Sequence, residues 1–233
     1  MFSQSIHSLL LKLVIATLSL LILFFSFERA FANIFFLKID AYFSRWNESA
    51  QPIPDELEDA RAAIVPMLAW QGNNPAYHSA AARVYEWQAY YDFNELQLRQ
   101  EALREALSYY QGAAKLRPAW PDTWAAKLKI KAQLNEFDDQ FARYIKAADK
   151  YGPYNLNVNQ TIAKTQLLYW DELPKNFRAL GLKHITRALA NDRLRHPLVL
   201  YARSLNRLPI VCSIGQLNEL PLVINHKFCV TIN

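Results

Sequence analysis

The sequence predicts an all-α protein in which one membrane-spanning helix precedes an irregular array of helical hairpins and a short C-terminal tail. Glycine is scarce, at 5 of 233 residues, so few tight positive-φ turns are available for β-hairpins. A long apolar run lies near the N-terminus, and the rest of the chain shows helical spacing of apolar residues broken by proline. With 52% hydrophobic and 20% charged residues, the composition excludes general disorder.

The apolar run extends from Ser8 to Phe27 and carries a single charge, on Lys12. At 1.5 Å rise per residue it spans about 30 Å, the thickness of the hydrocarbon core of a bilayer. We therefore expect residues 1–29 to anchor the chain in a bacterial inner membrane as a single pass, with the C-terminal domain in the periplasm. Ala30-Phe31-Ala32 also fits a signal peptidase site, so a cleaved signal ending at residue 32 is the alternative.

A stripe of aromatic residues predicts that the first helix continues beyond the anchor. Its members recur at steps of four and seven, on one side of a helix: Phe31, Phe35, Tyr42 and Trp46. We expect residues 30–53 to form an aromatic connecting helix that packs against the next helix or lies along the membrane interface.

Residues 54–207 are predicted to form the helical-repeat domain. Apolar spacing, with proline or glycine at the breaks, places helices at about 54–71, 77–91, 95–116, 121–134 and 138–151. Pro66 lies inside the first of these and is expected to kink or shorten it. Residues 155–191 show helical periodicity as well.

A 34-residue period appears in the middle of the chain. Tyr110 precedes Tyr144 by 34 positions, and Ala113 precedes Ala147 by the same distance. In RPAWPDTW, residues 117–124, the first proline stops one helix and the second starts the next. The pattern resembles tetratricopeptide repeats, helical hairpins that stack into an α-α solenoid. About one and a half units match, with these residues at the structural positions of the repeat: Tyr110, Ala113, Pro118, Trp124, Tyr144 and Ala147.

Residues 208–233 form a tail that the sequence describes poorly. It is apolar and rich in β-branched residues, and proline and glycine interrupt it, so a small hairpin and a poorly ordered segment are equally compatible with it. Cys212 and Cys229 are the two cysteines of the chain, and a disulfide between them would contribute about 3 kcal/mol. Whether they pair stays open at this level.

The sequence lacks the motifs of common enzyme classes. It contains no GxSxG, HExxH, SxxK or nucleotide-binding loop, and its histidines are scattered. We therefore expect a protein that is not an enzyme, with no catalytic residue, metal site or cofactor. Asp138 and Asp139 are adjacent, so they point about 100° apart on a helix, and capping the helix that follows is the role expected of Asp138.

Exposed aromatic and basic residues are the candidate contacts. Trp120, between two prolines, and Trp87 could stack on a sugar or on a partner, or could fill gaps between helices. From Lys175 to Arg207 eight basic residues stand against one acid, and three of them are candidates for contact with a partner or an acidic polysaccharide: Arg187, Arg193 and Arg195. A solvated helical face explains the same stretch. Nucleic acid is not an expected partner outside the cytoplasm.

Short aromatic phrases resemble the VpsP-type proteins of bacterial exopolysaccharide biosynthesis. They are AYFSRW at 41–46, NNPAYHSAAARVYEWQA at 73–89, RPAWPDTW at 117–124 and WDELP at 170–174. The resemblance extends to about residue 205 and carries no catalytic residue. It implies a membrane-anchored scaffold that binds protein partners in the synthesis or export of a biofilm-matrix polysaccharide. A periplasmic carbohydrate-binding module or a polysaccharide-processing enzyme is the alternative.

Overall fold

The computed structural model describes residues 2–49, 51–225 and 227–230, and within them every regular element is a helix. In chain order the helices are α1 Phe2–Ser49, α2 Pro54–Gln71, α3 Pro75–Tyr91, α4 Leu96–Leu116, α5 Pro121–Gln133, α6 Asp139–Tyr151, α7 Leu156–Leu168, α8 Lys175–Ala190, α9 Asp192–Ser204, α10 Leu208–Leu217, α11 Pro221–Ile224 and α12 Lys227–Val230. The all-α prediction is confirmed.

Helix α1 has two parts with different surroundings. Its apolar part has a mean hydropathy of 2.5 over 18 residues, none of them buried, and is long enough to cross a membrane. Beyond it the helix continues without a break, as predicted, and buries Ile39, Phe43 and Trp46 against α2 and α3. Of the predicted stripe, Trp46 is buried in this core, Phe35 and Tyr42 pack against it, and Phe31 contacts Trp70 of α2, so the stripe packs between helices.

The repeat domain is a row of helical hairpins. The two helices of each hairpin, α3 with α4, α5 with α6, and α7 with α8, pack closely on each other. Successive hairpins then stack on each other, because α5 also packs on α7, α6 on α8, and α7 on α9. The predicted helices from residue 54 to residue 151 begin and end within about two residues of the observed ones. Pro66 lies inside α2 without shortening it.

The turn between α4 and α5 is fixed by the aromatic residue that the repeat pattern singled out. The indole Nε1 of Trp124 donates to the carbonyl oxygen of Pro118 at 2.8 Å. Tyr110, Ala113 and Tyr144 are buried on the inner faces of α4 and α6, whereas Ala147 is half-buried and Pro118 is exposed. Asp138 caps α6 by accepting from the backbone N–H of Phe141 at 3.0 Å.

The tail is helical, so the expectation of a hairpin or a poorly ordered segment is wrong for its described residues. Pro209 and Pro221 fall in the first turns of α10 and α11, where a helix tolerates proline because the missing N–H has no partner there. The buried side chains of this segment join the core formed by α8 and α9. A disulfide links Cys212 to Cys229 and ties α12 to α10.

Candidate functional site in the central groove

An open groove crosses the repeat domain on the side formed by α3, α5 and α7. One part of it is a cavity of about 450 Å³, and we call the whole the central groove. Its walls carry side chains from successive hairpins, so ligand contacts would come from several units at once. The side chains that define it are Arg83 and Glu86 of α3, Tyr110 of α4, Trp120 at the N-cap of α5, Lys129 within α5, and Asn157 of α7.

Glu86 is the polar centre of the groove. The Tyr110 hydroxyl donates to its Oε1 at 2.6 Å, and the Lys129 ammonium forms an ion pair with its Oε2. Burial raises the pKa of Tyr110 well above its ordinary value, and the neighbouring Glu86 charge and the hydrogen bond to it raise that pKa further. Tyr110 therefore stays a neutral donor. The three side chains tie α3, α4 and α5 together and make the floor of the groove rigid and nearly neutral.

The groove continues past Glu86 toward α1. A second cavity of about 510 Å³ shares Arg83, Glu86 and Lys129 with the first and adds Trp87 and Gln133 to its walls. The Arg83 guanidinium lies 4.0 Å from the centre of the Phe43 ring of α1.

One wall group of this second cavity has an unused hydrogen-bonding capacity. The side-chain Oε1 of Gln133 is inaccessible to solvent and has no hydrogen-bond partner among the described residues. A buried carbonyl without a donor costs about 1–3 kcal/mol, so this atom is a local cost to the fold, and a ligand in the cavity does not contact it in this arrangement.

The two tryptophans predicted as contacts lie in the two parts of this groove. Trp120 is 42% exposed at the N-cap of α5, and the Arg117 guanidinium lies 3.6 Å from its ring centre. Trp87 is half-buried, with Trp46 and Tyr90 packed edge to face at 5.8 and 5.7 Å. One face of the Trp120 ring is therefore occupied by a cation, and Trp87 is held within an aromatic cluster.

The three candidate arginines lie on α8 and α9 and do not line the central groove. Arg187 pairs with Asp149 at 2.6 Å. Arg195 donates to the carbonyl oxygens at the C-terminal end of α8, at 2.8 and 3.0 Å, which satisfies groups that the helix leaves open. Arg193 is exposed. Two of the three are thus committed to contacts within the fold.

Other ion pairs reduce the basic character of the stretch from Lys175 to Arg207. Lys183 joins Arg187 on Asp149, and Arg207 pairs with Asp171. Burial works to raise the pKa of Asp149, but the hydrogen bonds from Lys183 and Arg187 outweigh it and hold that pKa below its ordinary value. The eight positive charges counted in the sequence therefore do not form one open cationic surface.

Sequence reasoning missed Arg83, Glu86, Lys129 and Gln133. A signal for the first two exists, because Ser79, Arg83, Glu86 and Tyr90 recur at steps of three and four and form a polar face on a helix whose other face is rich in alanine. Among the described residues, no group of three or more histidine, cysteine or acidic side chains is placed to hold a metal ion. The groove offers hydrogen-bond donors, acceptors and aromatic edges, which is the chemistry of binding.

Comparison of the chain with protein-family models, with curated proteins and with solved structures found no match. The resemblance to VpsP-type proteins thus remains an expectation drawn from the sequence.

Proposed function

We propose that this protein is a membrane-anchored periplasmic adaptor whose central groove binds an extended segment of a partner protein. The observation that carries the proposal is the continuity of the groove. It runs across α3, α5 and α7 and reaches α1, so one occupant contacts several hairpins. Helical-repeat proteins commonly use such extended surfaces for binding partners.

The connection of the groove to the membrane supports an adaptor role. Helix α1 continues from Phe27 to Trp46, which lines the groove, and this distance is about 28 Å along the helix. Ile39, Phe43 and Trp46 are buried against α2 and α3. The groove is therefore held at a fixed position relative to the apolar part of α1, with no flexible linker between them.

The lining of the groove favours a peptide segment over a sugar chain. A peptide presents N–H and C=O groups at regular spacing, and the exposed Arg83 guanidinium and the hydrogen-bonded pair of Asp122 and Asn157 provide complementary donors and acceptors. A sugar platform needs an open aromatic face, whereas Arg117 covers one face of Trp120 and aromatic neighbours surround Trp87. The partner class we propose, from the resemblance described above, is the protein machinery that makes or exports an extracellular polysaccharide.

Site-specific photo-crosslinking tests the proposal. A photoreactive phenylalanine replaces Tyr90, which is 52% exposed in the groove, and in a matched control it replaces Tyr154, which is 82% exposed and lies outside it. We expect the full-length protein in native membranes to capture a polysaccharide-assembly protein from position 90 and not from position 154. Arg83→Glu should lower that capture at least fivefold, and Arg143→Glu, an exposed change on α6, should not.

The alternative function is direct binding or processing of carbohydrate, and Trp120 is the observation that favours it. If the purified full-length protein binds the polymer without a partner, and Trp120→Ala abolishes this binding, the adaptor proposal is wrong. Equal crosslinking from positions 90 and 154 would also contradict it.

A further inference from the structure

A second pocket lies where α1 leaves its apolar segment. This membrane-proximal pocket is a cavity of about 610 Å³ between α1 and the turn that joins α2 to α3. Its polar lining comes from Arg29 and Asn33 of α1, from Gln71 at the end of α2, from Asn73 and Asn74 of the turn, and from Tyr77 of α3. The pocket is separate from the central groove and shares no lining residue with it.

The position of Arg29 along α1 puts the pocket at the surface of the bilayer. The apolar run ends at Phe27, and two further residues advance the helix by about 3 Å. A guanidinium at this height would lie among lipid head groups if the apolar run fills the hydrocarbon core.

An aromatic contact brings the end of α2 to the same height. Trp70 is 38% exposed, and its ring centre lies 5.0 Å from that of Phe31 and 6.0 Å from that of Phe27. Tryptophan is enriched at membrane interfaces because its ring is apolar and its N–H is polar. Since Gln71 follows Trp70 directly, the turn that lines the pocket also lies at head-group depth.

The chemistry of the lining selects for an anion that carries hydroxyl groups. Arg29 brings a positive charge, and none of the described residues that line the pocket carries a carboxylate. The remaining polar side chains are mainly amides, which donate and accept hydrogen bonds and so match hydroxyl groups. A guanidinium binds a phosphate through charge-assisted hydrogen bonds, which are stronger than neutral ones.

We propose that this pocket binds the head group of an anionic glycerophospholipid, with Arg29 on the phosphate and the amides of Asn33, Gln71 and Asn73 on the head-group hydroxyls. A zwitterionic head group fits less well, because its ammonium would lie near Arg29 with no carboxylate to neutralise it. The inference rests on the membrane attachment included in the proposed function and is independent of what occupies the groove.

Native mass spectrometry of the full-length protein, released from micelles containing equal amounts of phosphatidylglycerol and phosphatidylcholine with the same acyl chains, tests this proposal. We expect the wild type to retain phosphatidylglycerol preferentially. Arg29→Gln should weaken that retention about tenfold, the effect of losing one charge-assisted contact. Arg61→Gln removes the same charge from an exposed site on α2 and should leave retention unchanged. Asn73→Ala, in the exposed turn, should weaken it by a smaller factor.

The outcomes separate this proposal from its alternatives. Equal retention by Arg29→Gln and Arg61→Gln would overturn it. Displacement of the lipid by millimolar inorganic phosphate would show a site for free phosphate instead and would overturn it as well. Flotation with phosphatidylcholine vesicles tests the attachment alone. A protein that floats but shows no preference for phosphatidylglycerol contradicts only this inference, whereas a protein that does not float contradicts the proposed function.

Discussion

Replacing Lys127 with methionine is expected to stabilise the protein at neutral pH. Lys127 is 5% exposed on α5, and its ammonium lies 4.4 Å from the ring centre of Trp124 and 4.2 Å from that of Tyr144. Burial lowers its pKa from 10.5 to about 8, since removing the charged form from water costs free energy. Methionine keeps an unbranched apolar side chain in the same place without that charge.

The size of the effect follows from this pKa. Each pH unit corresponds to about 1.4 kcal/mol, so the charged form of Lys127 costs the folded state about 3 kcal/mol. Burial alone accounts for this figure, and contact with two aromatic faces offsets it by about 0.5–1 kcal/mol for each ring. The Lys127→Met protein should therefore be more stable at pH 7 by about 1–2 kcal/mol.

The pH dependence has a definite sign. Because the folded-state pKa is lowered, the cost is fully present below pH 8 and is relieved as the pH rises from about 8 to 10.5, where only the unfolded chain still holds the proton. The advantage of Lys127→Met over the wild type should therefore shrink between pH 7 and pH 9.5. Comparing the two proteins at each pH cancels the titration of the tyrosines that they share.

Lys131, one helical turn further along α5, provides the matched control. It is also buried, but its Nζ lies 2.7 Å from carboxylate oxygens of both Glu136 and Asp138. Burial works to lower its pKa, and these two hydrogen bonds outweigh burial and raise it. Lys131→Met should destabilise the protein by about 2–3 kcal/mol, because it leaves Asp138 without its cation and leaves Glu136 with Arg104 alone.

The assay is urea unfolding of the full-length protein in micelles, followed by circular dichroism so that changes near Trp124 do not affect the signal. If Lys127→Met destabilises the protein as much as Lys131→Met, the ring contacts outweigh desolvation and the reasoning is refuted. An advantage of Lys127→Met that does not change between pH 7 and pH 9.5 would show that Lys127 does not titrate in this range, which also refutes it.

Three further predictions concern single structural features. His184 is fully buried and burial lowers its pKa to about 4, so the wild type should lose about 2 kcal/mol of stability between pH 7 and pH 5 relative to His184→Asn, as measured by urea unfolding. Gly152→Ala should cost about 1–3 kcal/mol in thermal unfolding, because the added Cβ would lie 2.6 Å from two carbons of the rigid Pro121 ring; an unchanged midpoint would show that the two units can separate without cost. Replacing Cys212 and Cys229 with serine should expose the segment after α10 to limited proteolysis at least tenfold faster, and equal rates would show that packing alone holds it.

The hairpin array could be predicted because its signals are local. Proline at the start of α2, α3 and α5 acts within the first turn of each helix. The 34-residue spacing from Tyr110 to Tyr144 shows the same local pattern returning in the next hairpin. The prediction for the tail was wrong because its structure depends on a contact that is not local. Its β-branched residues favour strands when taken alone, but burial against α8 and α9 decides its structure, and that contact is not local.

The residues of the candidate site likewise include some that the sequence could predict and some that it could not. Trp87 and Trp120 could be named from residue type, since exposed tryptophan is uncommon enough to attract notice. Glu86 and Lys129 could not, because they are 43 positions apart and become a pair only when α5 stacks beside α3. The stretch from Lys175 to Arg207 was predicted to be more open and cationic than it is, for a related reason. Its carboxylate partners, Asp149 and Asp171, lie before it in the chain, so a count of charges within the stretch does not include them.

The distribution of ion pairs therefore changes where binding is expected. A guanidinium already held by a carboxylate, such as that of Arg187, is less available to a ligand, because pulling it away would leave Asp149 with Lys183 alone. Arg29 and Arg83 are placed differently, since each borders a cavity and neither is in an ion pair with a described carboxylate. Among the described residues, Arg29 and Arg83 are thus the unpaired cations that the two proposed sites offer to a ligand, one in the membrane-proximal pocket and one in the central groove. Because α1 lines both the membrane-proximal pocket and the central groove, it holds these two places at a fixed distance from each other.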